Sequence, residues 1–383
     1  MNYRVDIKKI NTQEDKEREE TFLRKLWREC FGDPAKYEDF YFKNVYRNNM
    51  VYEVPEKGML HLNPYRCMVR EKEMTLHYIV GVATKESARR QGIMRKLLAQ
   101  TLGDMYKKKE PFTYLMPADV RYYQPFGFVS ISEKQENIII SQQEVGKNTS
   151  VEMSSKNSSH SFECCEKNGE GEKKIYFTKY NDFLALRETK QQEIFQSIHQ
   201  LLSERYAVFA RHDKDYFDLL FEEKRCQGGD VVFCFDGKGE IKGFFAYGMD
   251  EGKMHVEQYL SKDNEIADCL NEYCDNIVPV LYQFPFMVRI VHVKTFLSLF
   301  ANSFYEFAME GKRLLIIDAV LADNNGIYSF QMIENRLVVE KQQIKDNVKQ
   351  DMRDEAMTVE ELAEFIFCGK NEKENPVFFA EVV

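Results

Sequence analysis

The chain has 383 residues, more than the roughly 250 to 300 at which a single hydrophobic core stops growing, so two or three domains are expected. Apolar residues make up 44% of the sequence and aromatic residues 13%, which excludes a disordered chain and is enough to build packed cores. The net charge of −9, from 53 basic and 62 acidic residues, disfavours binding to nucleic acids and weakly favours cationic partners.

Hydropathy and cysteine usage predict a cytoplasmic protein. Residues 1–20 are charged throughout and lack the apolar region of an export signal. The longest apolar runs, 78–84 and 296–301, fall far short of the roughly 20 residues that cross a bilayer, so no membrane partner is expected. Nine cysteines lie scattered without a C-x-x-C pair, and seven histidines show no metal-ligand spacing. We therefore expect reduced cysteines and no metal.

Residues 1–140 are predicted to form a first domain of mixed helices and strands. Helical spacing over 17–31 ends at a Gly-Asp-Pro turn, and residues 66–84 alternate as a hairpin that turns at 70–73. A loop follows Thr84, and apolar residues from Ile93 to Met105 then recur at helical spacing. Further short elements complete the domain, namely strands at 112–116, 128–132 and 136–140 and a short helical or loop segment at 119–123.

A polar stretch over 141–174, which contains SSKNSSHS and KNGEGEKK, predicts a linker or mobile loop and a domain boundary. Residues 175–283 repeat the strand and helix order of the first domain, with a hairpin that turns at Asp236-Gly237. Residues 284–383 form a third predicted region, in which Thr358 and Glu361 make a capping box for a helix over 358–367. Other elements are predicted in these two regions: strands at 175–180, 254–260, 313–320, 326–333 and 336–341, and helices at 191–206, 264–277 and 293–300.

The sharpest motif is a strand end, Val82-Ala83-Thr84, followed by a loop and a helix whose first turn holds a glycine flanked by arginines. A helix N-terminus offers unpaired backbone N–H groups and the positive end of the dipole, and Gly92 lets an anion approach the backbone closely. Arg89, Arg90 and Arg95 can add charge-assisted hydrogen bonds. The pattern thus predicts a pyrophosphate site, although an ordinary turn with solvated arginines has the same spacing.

This stretch, IVGVATKESARRQGIMRKLL, resembles motif A of the GNAT N-acetyltransferases. VAT followed by RRQGIMR, with Met94 in place of a final small residue, resembles the Eis (enhanced intracellular survival) branch. The segment from Pro117 to Phe128 resembles that family's stretch ending in Tyr-x-x-Phe-Gly-Phe, in which Tyr123 falls on the catalytic tyrosine. A phenol there can protonate the thiolate that leaves when an amine attacks a thioester, with Tyr122 as the fallback.

The resemblance implies a fold class and a cofactor site. The fold is α/β (α+β): tandem GNAT folds with mixed central sheets flanked by helices, followed by a sterol-carrier-protein-like α+β domain at 284–383. The second GNAT-like domain lacks the motif and is implied to be degenerate. Acetyl-CoA is the implied co-substrate, and its site is formed by a strand end, a helix start and a following loop: Val82, Ala83, Thr84, Arg89, Arg90, Gln91, Gly92, Ile93, Met94, Arg95, Ala118 and Asp119.

The same resemblance implies a catalytic base, an acceptor and an assembly. The base is the terminal carboxylate at Val383, on an apolar tail that suits a docked end, with Glu381 as the fallback. The acceptor is a primary amine, such as an aminoglycoside-like or polyamine-like cation, acetylated by direct attack in a ternary complex. A ring-like homo-oligomer, a hexamer, is expected by resemblance alone.

The sequence leaves three alternatives, one for the mechanism and two for the function. An acyl-enzyme route would use Cys67, the one cysteine near the motifs. A carrier of apolar ligands would use the third domain, with GNAT domains that are inert or regulatory; the intact RRQGIMR and Tyr123 argue against it. An aminoacyl transferase that uses charged tRNA is disfavoured by the net charge and by the intact motif.

Overall fold

The computed structural model describes residues 6–131, 162–165, 174–250, 252–262, 266, 280–281, 286–334, 336–342, 354–368 and 377–378. Contacts divide the chain into two compact units. One comprises 1–133, 205–211 and 284–383, and the other comprises 134–204 and 212–283. The predicted three-domain division stays a prediction, and its first and third parts fall in one unit. The predicted linker at 141–174, the strand at 136–140 and the helix at 264–277 lie wholly or largely outside the described residues.

The predicted α/β class is confirmed, since mixed sheets alternate with helices along the chain. The strands are β1 Lys8–Ile10, β2 Met50–Val54, β3 Gly58–Val69, β4 Lys72–Thr84, β5 Phe112–Leu115, β6 Val129–Ile131, β7 Phe162–Cys165, β8 Lys174–Lys179, β9 Val208–Ala210, β10 Asp230–Asp236, β11 Ile241–Asp250, β12 Lys253–Ser261, β13 Val280–Leu281, β14 Phe286–Ile290, β15 Arg313–Ile317, β16 Gly326–Ile333, β17 Arg336–Gln342, β18 Asp354–Thr358 and β19 Val377–Phe378. The helices are α1 Gln13–Phe31, α2 Ala35–Phe40, α3 Ile93–Lys107, α4 Tyr180–Leu184, α5 Glu188–Arg205, α6 Lys214–Cys226, α7 Val293–Leu299, α8 Tyr305–Met309 and α9 Val359–Phe367.

The first unit is built on a sheet in the order β1-β2-β3-β4-β5-β14-β6, with β9 paired to β3 and β19 paired to β9. The predicted hairpin is confirmed as β3 and β4, and its turn contains Arg70 at φ 56. The predicted first helix is confirmed as α1, which starts where the Thr12 side chain accepts from the N–H of Asp15 and ends at Gly32 with φ 70. Its apolar face buries Leu23 and Trp27, which fixes the helix to the unit's core.

A strand from far along the sequence lies inside this sheet, between β5 and the last strand of the sheet order, β6. β14 pairs antiparallel with β5 on one side and with β6 on the other. Its apolar residues Phe286, Met287 and Val288 are fully buried. The first sheet is therefore completed by a strand from the third predicted region.

The first unit also contains a four-stranded sheet in the order β17-β16-β15-β18. β15 and β18 are parallel, and the other neighbours are antiparallel. The predicted capping box before α9 is confirmed, because Thr358 accepts from the N–H of Glu361 while the Glu361 carboxylate accepts from the N–H of Thr358. The third predicted region thus contains a sheet and helices of its own.

The second unit is a six-stranded sheet in the order β13-β12-β11-β10-β8-β7. The predicted hairpin is confirmed as β10 and β11, and the Asp236 carboxylate caps its turn by accepting from the N–H of Lys238. Rings of Phe183 and Phe217 pack on Phe233 at centroid distances of 4.3 and 5.1 Å. Helix α6, which carries Phe217, was not predicted. In the described parts of both units, no helix is long and apolar enough to span a bilayer.

Candidate active site

The predicted motif strand and its neighbour β5 meet at one residue pair and then part. β4 and β5 run parallel and are paired at Tyr78 and Tyr114. β4 continues through Val82 and Ala83 to Thr84, whereas β5 ends at Leu115. Beyond the pair, no strand of the described chain lies on the β5 side of β4. The end of β4 is therefore open to an added extended group that can take strand-like hydrogen bonds.

A bulge in β4 precedes this open end. The register with β3 shifts between Met59 and His61, opposite Gly81, whose φ is 60. A Cβ on Gly81 would lie 2.8 Å from a ring carbon of Trp27. The bulge turns the backbone of the motif strand away from a regular ladder. This site residue was missed in the sequence, although a glycine inside a strand pattern is itself a signal for a bulge.

Replacing Gly81 with alanine should lower the free energy of unfolding by about 2 to 4 kcal/mol, because it adds left-handed strain and a clash with Trp27. The matched control is Gly103→Ala in α3, where a Cβ would meet no heavy atom within 4 Å. That change should raise the free energy by about 0.5 to 1 kcal/mol. Urea unfolding of both variants measures the effects, and equal stability of the Gly81 variant and wild type would refute the account.

The loop after β4 leads into α3 with an open helix N-terminus. Arg90 and Gly92 both adopt left-handed backbone angles, with φ of 62 and 74. Gly92 is the N-cap, and within the described chain no side chain caps the first turn. A Cβ on Gly92 would meet nothing within 4 Å, so the backbone there faces open space. The free N–H groups and the exposed arginines give this turn the properties of an anion site.

The other predicted residues in the loop before α3 and in the first turn of α3 make local contacts. The Arg89 Nε donates to the carbonyl of Thr84 at 3.3 Å, and the Gln91 Nε2 donates to the carbonyl of Ser87 at 3.1 Å. Ile93 is buried and fixes the start of α3, while Met94 is half-buried. The Arg95 guanidinium lies 5.9 Å from the centroid of the Phe126 ring. That contact connects the first turn of α3 to the turn that carries the predicted catalytic tyrosine.

The two adjacent tyrosines of that turn have different environments. Tyr123 is 6% exposed and its ring packs edge-on against Phe128 at 5.9 Å, whereas Tyr122 is 57% exposed. Burial raises the pKa of Tyr123 to about 12, so its phenol stays protonated at neutral pH. No described residue pairs with its hydroxyl, which leaves the O–H able to donate. Tyr123 therefore has the protonation state of a general acid.

Asp119 begins this turn and is paired locally. Its carboxylate accepts from the N–H of Arg121 at 2.9 Å and from the Arg121 guanidinium. The side-chain hydrogen bond from Arg121 lowers the pKa of Asp119 to about 2. Ala118, next to it, is exposed. Because the Asp119 carboxylate and the Arg121 guanidinium neutralise each other, they leave little net charge beside the exposed Ala118.

The remaining predicted residues fall into two groups. Val383 and its fallback Glu381 lie outside the described residues. Cys67 is fully buried within β3, between Met74 of β4 and Ala210 of β9. A thiol there is shielded from a substrate. Within the described ranges, no group of three or more His, Cys, Asp or Glu side chains is placed to hold a metal.

Part of the chain matches a known domain family. Residues 10–131 match the sequence model of the acetyltransferase (GNAT) domain, which supports an acetyltransferase. No curated protein sequence matches the chain significantly.

Solved structures are similar over nearly the whole chain. A conserved protein of unknown function from Enterococcus faecalis V583, described as a probable N-acyltransferase, has a TM-score of 0.63 at 12% identity and covers 94% of this chain and 89% of its own. A GCN5-related N-acetyltransferase from Anabaena variabilis has a TM-score of 0.58 at 13% identity, covering 94% and 90%. Eis1 from Mycobacterium abscessus has a TM-score of 0.52 at 12% identity, covering 96% and 90%. At these identities the likeness shows a shared fold.

Proposed function

We propose that this chain transfers acetyl from acetyl-CoA to a primary amine by direct attack in a ternary complex. The observation that carries the proposal is the parting of β4 from β5 after Tyr78 and Tyr114, beside the open N-terminus of α3. An extended pantetheine arm can add to the free edge of β4, while a pyrophosphate binds at the helix N-terminus. The match of residues 10–131 to the acetyltransferase domain supports this reading.

In the proposed reaction, backbone N–H groups at Val82 and Thr84 hold the thioester and the pantetheine. The loop before α3 and the first turn of that helix, from Arg89 to Arg95, bind the pyrophosphate through backbone N–H groups and guanidinium groups. Ala118 and Asp119 lie along the cofactor. The amine nitrogen bonds to the acetyl carbon as the carbon–sulfur bond breaks, and the Tyr123 phenol gives its proton to the leaving thiolate. The amine proton passes to a base.

The proposed base is the carboxylate at Val383, by family resemblance. β19 lies at the edge of the first sheet, where Val377 and Phe378 pair with Val208 and Phe209 of β9. An extended chain from Phe378 to Val383 covers at most about 17 Å. The tail is thus anchored on the sheet that carries β4. Glu381 remains the alternative base.

The finer parts of the proposal concern the acceptor, the assembly and the last domain. A net charge of −9 suits a cationic amine such as an aminoglycoside-like or polyamine-like compound. We propose a cytoplasmic Eis-like enzyme that forms a homo-oligomer, a hexamer by resemblance, with a sterol-carrier-protein-like domain at 284–383. No nucleic acid or membrane partner is part of the proposal.

Calorimetry with acetyl-CoA, followed by a thiol-release assay against spermidine, kanamycin and simple alkylamines, tests the proposal. We expect stoichiometric binding that weakens as salt concentration rises, because charge-assisted contacts are screened, and acetyl-dependent thiol release with at least one amine. A chain extended beyond Val383 should bind acetyl-CoA normally but release thiol slowly. Absence of both binding and release, together with a co-purified apolar ligand, would replace the proposal with the carrier hypothesis.

A further inference from the structure

A buried arginine from β14 holds the backbone of the tyrosine turn. Arg289 has no exposed surface. Its Nε donates to the carbonyl of Phe126 at 2.6 Å, and one terminal nitrogen donates to both carboxylate oxygens of Asp318 at 2.7 Å. Its other terminal nitrogen donates to the carbonyl of Ile290. The Arg289 guanidinium thus connects the first predicted domain to the third by hydrogen bonds.

Asp318 is itself held by several donors, so the pair is rigid. Its carboxylate accepts from the N–H groups of Val320 and Leu321 at 2.9 Å and from the Asn324 Nδ2 at 2.8 Å. Burial acts to raise the pKa of Asp318, but the charge of Arg289 and the donated hydrogen bonds outweigh it and lower that pKa. The ion pair is therefore charged at neutral pH, and its lone pairs are satisfied, as a buried pair requires.

The turn from Tyr123 to Gly127 leaves space for the Arg289 guanidinium. The N–H of Phe126 donates to the carbonyl of Tyr123 at 2.9 Å, so the Phe126 carbonyl is one hydrogen bond away from the backbone of the tyrosine. Gly127 has a φ of 78, and a Cβ there would lie 2.8 Å from the Arg289 Nε and 2.9 Å from a carboxylate oxygen of Glu360. The Phe-Gly step of the motif is thus explained by the close approach of the guanidinium.

We propose that Arg289, held by Asp318, is a positioning residue that sets the orientation of Tyr123 through the Phe126 carbonyl. The inference rests on the proposed role of Tyr123. The Arg95 guanidinium lies over the ring of Phe126, and Arg289 binds the Phe126 carbonyl. Phe126 therefore connects the proposed pyrophosphate site, the turn of the proposed acid and the last region of the chain. A lysine at position 289 keeps the charge but cannot bind both Asp318 and the carbonyl with the same planar geometry.

The test compares Arg289→Lys with Tyr328→Phe. The buried Tyr328 hydroxyl donates to the backbone carbonyl of Asn324 at 2.7 Å and bonds neither to Asp318 nor to the turn, so the loss of this hydroxyl reports stabilisation of the region alone. Each chain carries 3-fluorotyrosine at position 123, whose fluorine resonance is assigned in wild type, and kcat and KM are measured with acetyl-CoA and spermidine. Active sites are counted by calorimetric acetyl-CoA stoichiometry, which removes the effect of unfolded protein.

For Arg289→Lys we expect kcat per active site to fall about 10- to 100-fold, because a small misplacement of an acid has an effect of this size. KM for acetyl-CoA should stay within about twofold, and the fluorine resonance should shift or broaden. Tyr328→Phe should lower the thermal midpoint while kcat per site and the resonance stay as in wild type. If the lysine variant does not fold, Gly127→Ala, which displaces the turn from Arg289, should give the same fall in kcat and the same change of resonance.

Wild-type kcat and an unchanged resonance in Arg289→Lys, or in Gly127→Ala if only that variant folds, would overturn the positioning role. An equal fall of kcat per site in Tyr328→Phe would also overturn it, since the effect would then be one of general stability. If no amine releases thiol from wild type, the proposed reaction is wrong. The resonance alone then decides whether Arg289 holds the tyrosine turn.

Discussion

Replacing Tyr123 with phenylalanine should lower kcat about 100- to 10,000-fold, the range that general acid catalysis contributes. The phenol is kept protonated by burial, which raises its pKa to about 12, and it can donate a proton to a leaving thiolate. The ring packs against Phe128 at 5.9 Å, a contact that phenylalanine keeps, so the fold should be unchanged. KM for acetyl-CoA should change little, because the phenol acts when the thiolate forms.

The matched control is Tyr122→Phe, since that ring is 57% exposed and its loss of a hydroxyl should leave kcat unchanged. Steady-state kinetics with acetyl-CoA and an amine identified by thiol release measures both variants. Wild-type kcat in the Tyr123 variant, or a loss in the Tyr122 variant alone, would show that Tyr123 is not the acid.

The pH dependence of stability has a definite sign. An unfolded tyrosine ionises near about pH 10, whereas folded Tyr123 ionises at about 12. The folded state therefore binds the proton more tightly, and its stabilisation is fully present below about pH 10 and is lost as the pH rises towards about 12. Tyr123→Phe removes this contribution, so its thermal midpoint should fall less steeply than that of wild type over this range.

The second large effect concerns β14. A chain that ends after residue 283 should not form a stable first sheet, because β5 and β6 lose the strand between them. Phe286, Met287, Val288 and Ile290 are all fully buried. Each such side chain contributes about 1.5 to 3 kcal/mol, and their sum is comparable with the roughly 5 to 15 kcal/mol that stabilises a whole domain. The same chain also loses Arg289 and its contact with the Phe126 carbonyl.

Near-ultraviolet circular dichroism and acetyl-CoA calorimetry should show that the shortened chain lacks fixed tertiary packing and binding. Adding residues 284–383 as a separate chain should restore part of the binding. The control is a full-length chain with a protease site inserted at residue 150 and then cut, which keeps every strand and should keep binding. A shortened chain that binds acetyl-CoA as tightly as wild type would contradict the requirement for β14.

Local pattern predicted the features that depend on near neighbours in sequence. The hairpin β3–β4, the helix α3 after Gly92 and the capping box of Thr358 and Glu361 each follow from spacing within a few residues. Pairings between distant segments were not predictable in this way. The side chains of β14 alternate between the two faces of the sheet in the same way whichever strand it pairs with. No local pattern in the sequence marks Arg289 as a functional residue. Its role depends on Phe126 and Asp318, whose sequence separations from it carry no local signal.

The placement of β14 has a consequence for the order of events during synthesis. β5 and β6 leave the ribosome well before Phe286, and at roughly 5 to 20 residues per second the delay between Ile131 and Phe286 is about 8 to 31 s. Until then β5 lacks its partner on one side and β6 lacks its one described partner strand. Unpaired strand edges are the kind of surface that recruits other strands. The second unit, whose sheet draws on the chain between Phe162 and Leu281, is made within that interval. Folding of the first sheet is therefore expected to finish after the second unit has been synthesised, and cells that make this protein need to protect the open edges of β5 and β6 in the meantime.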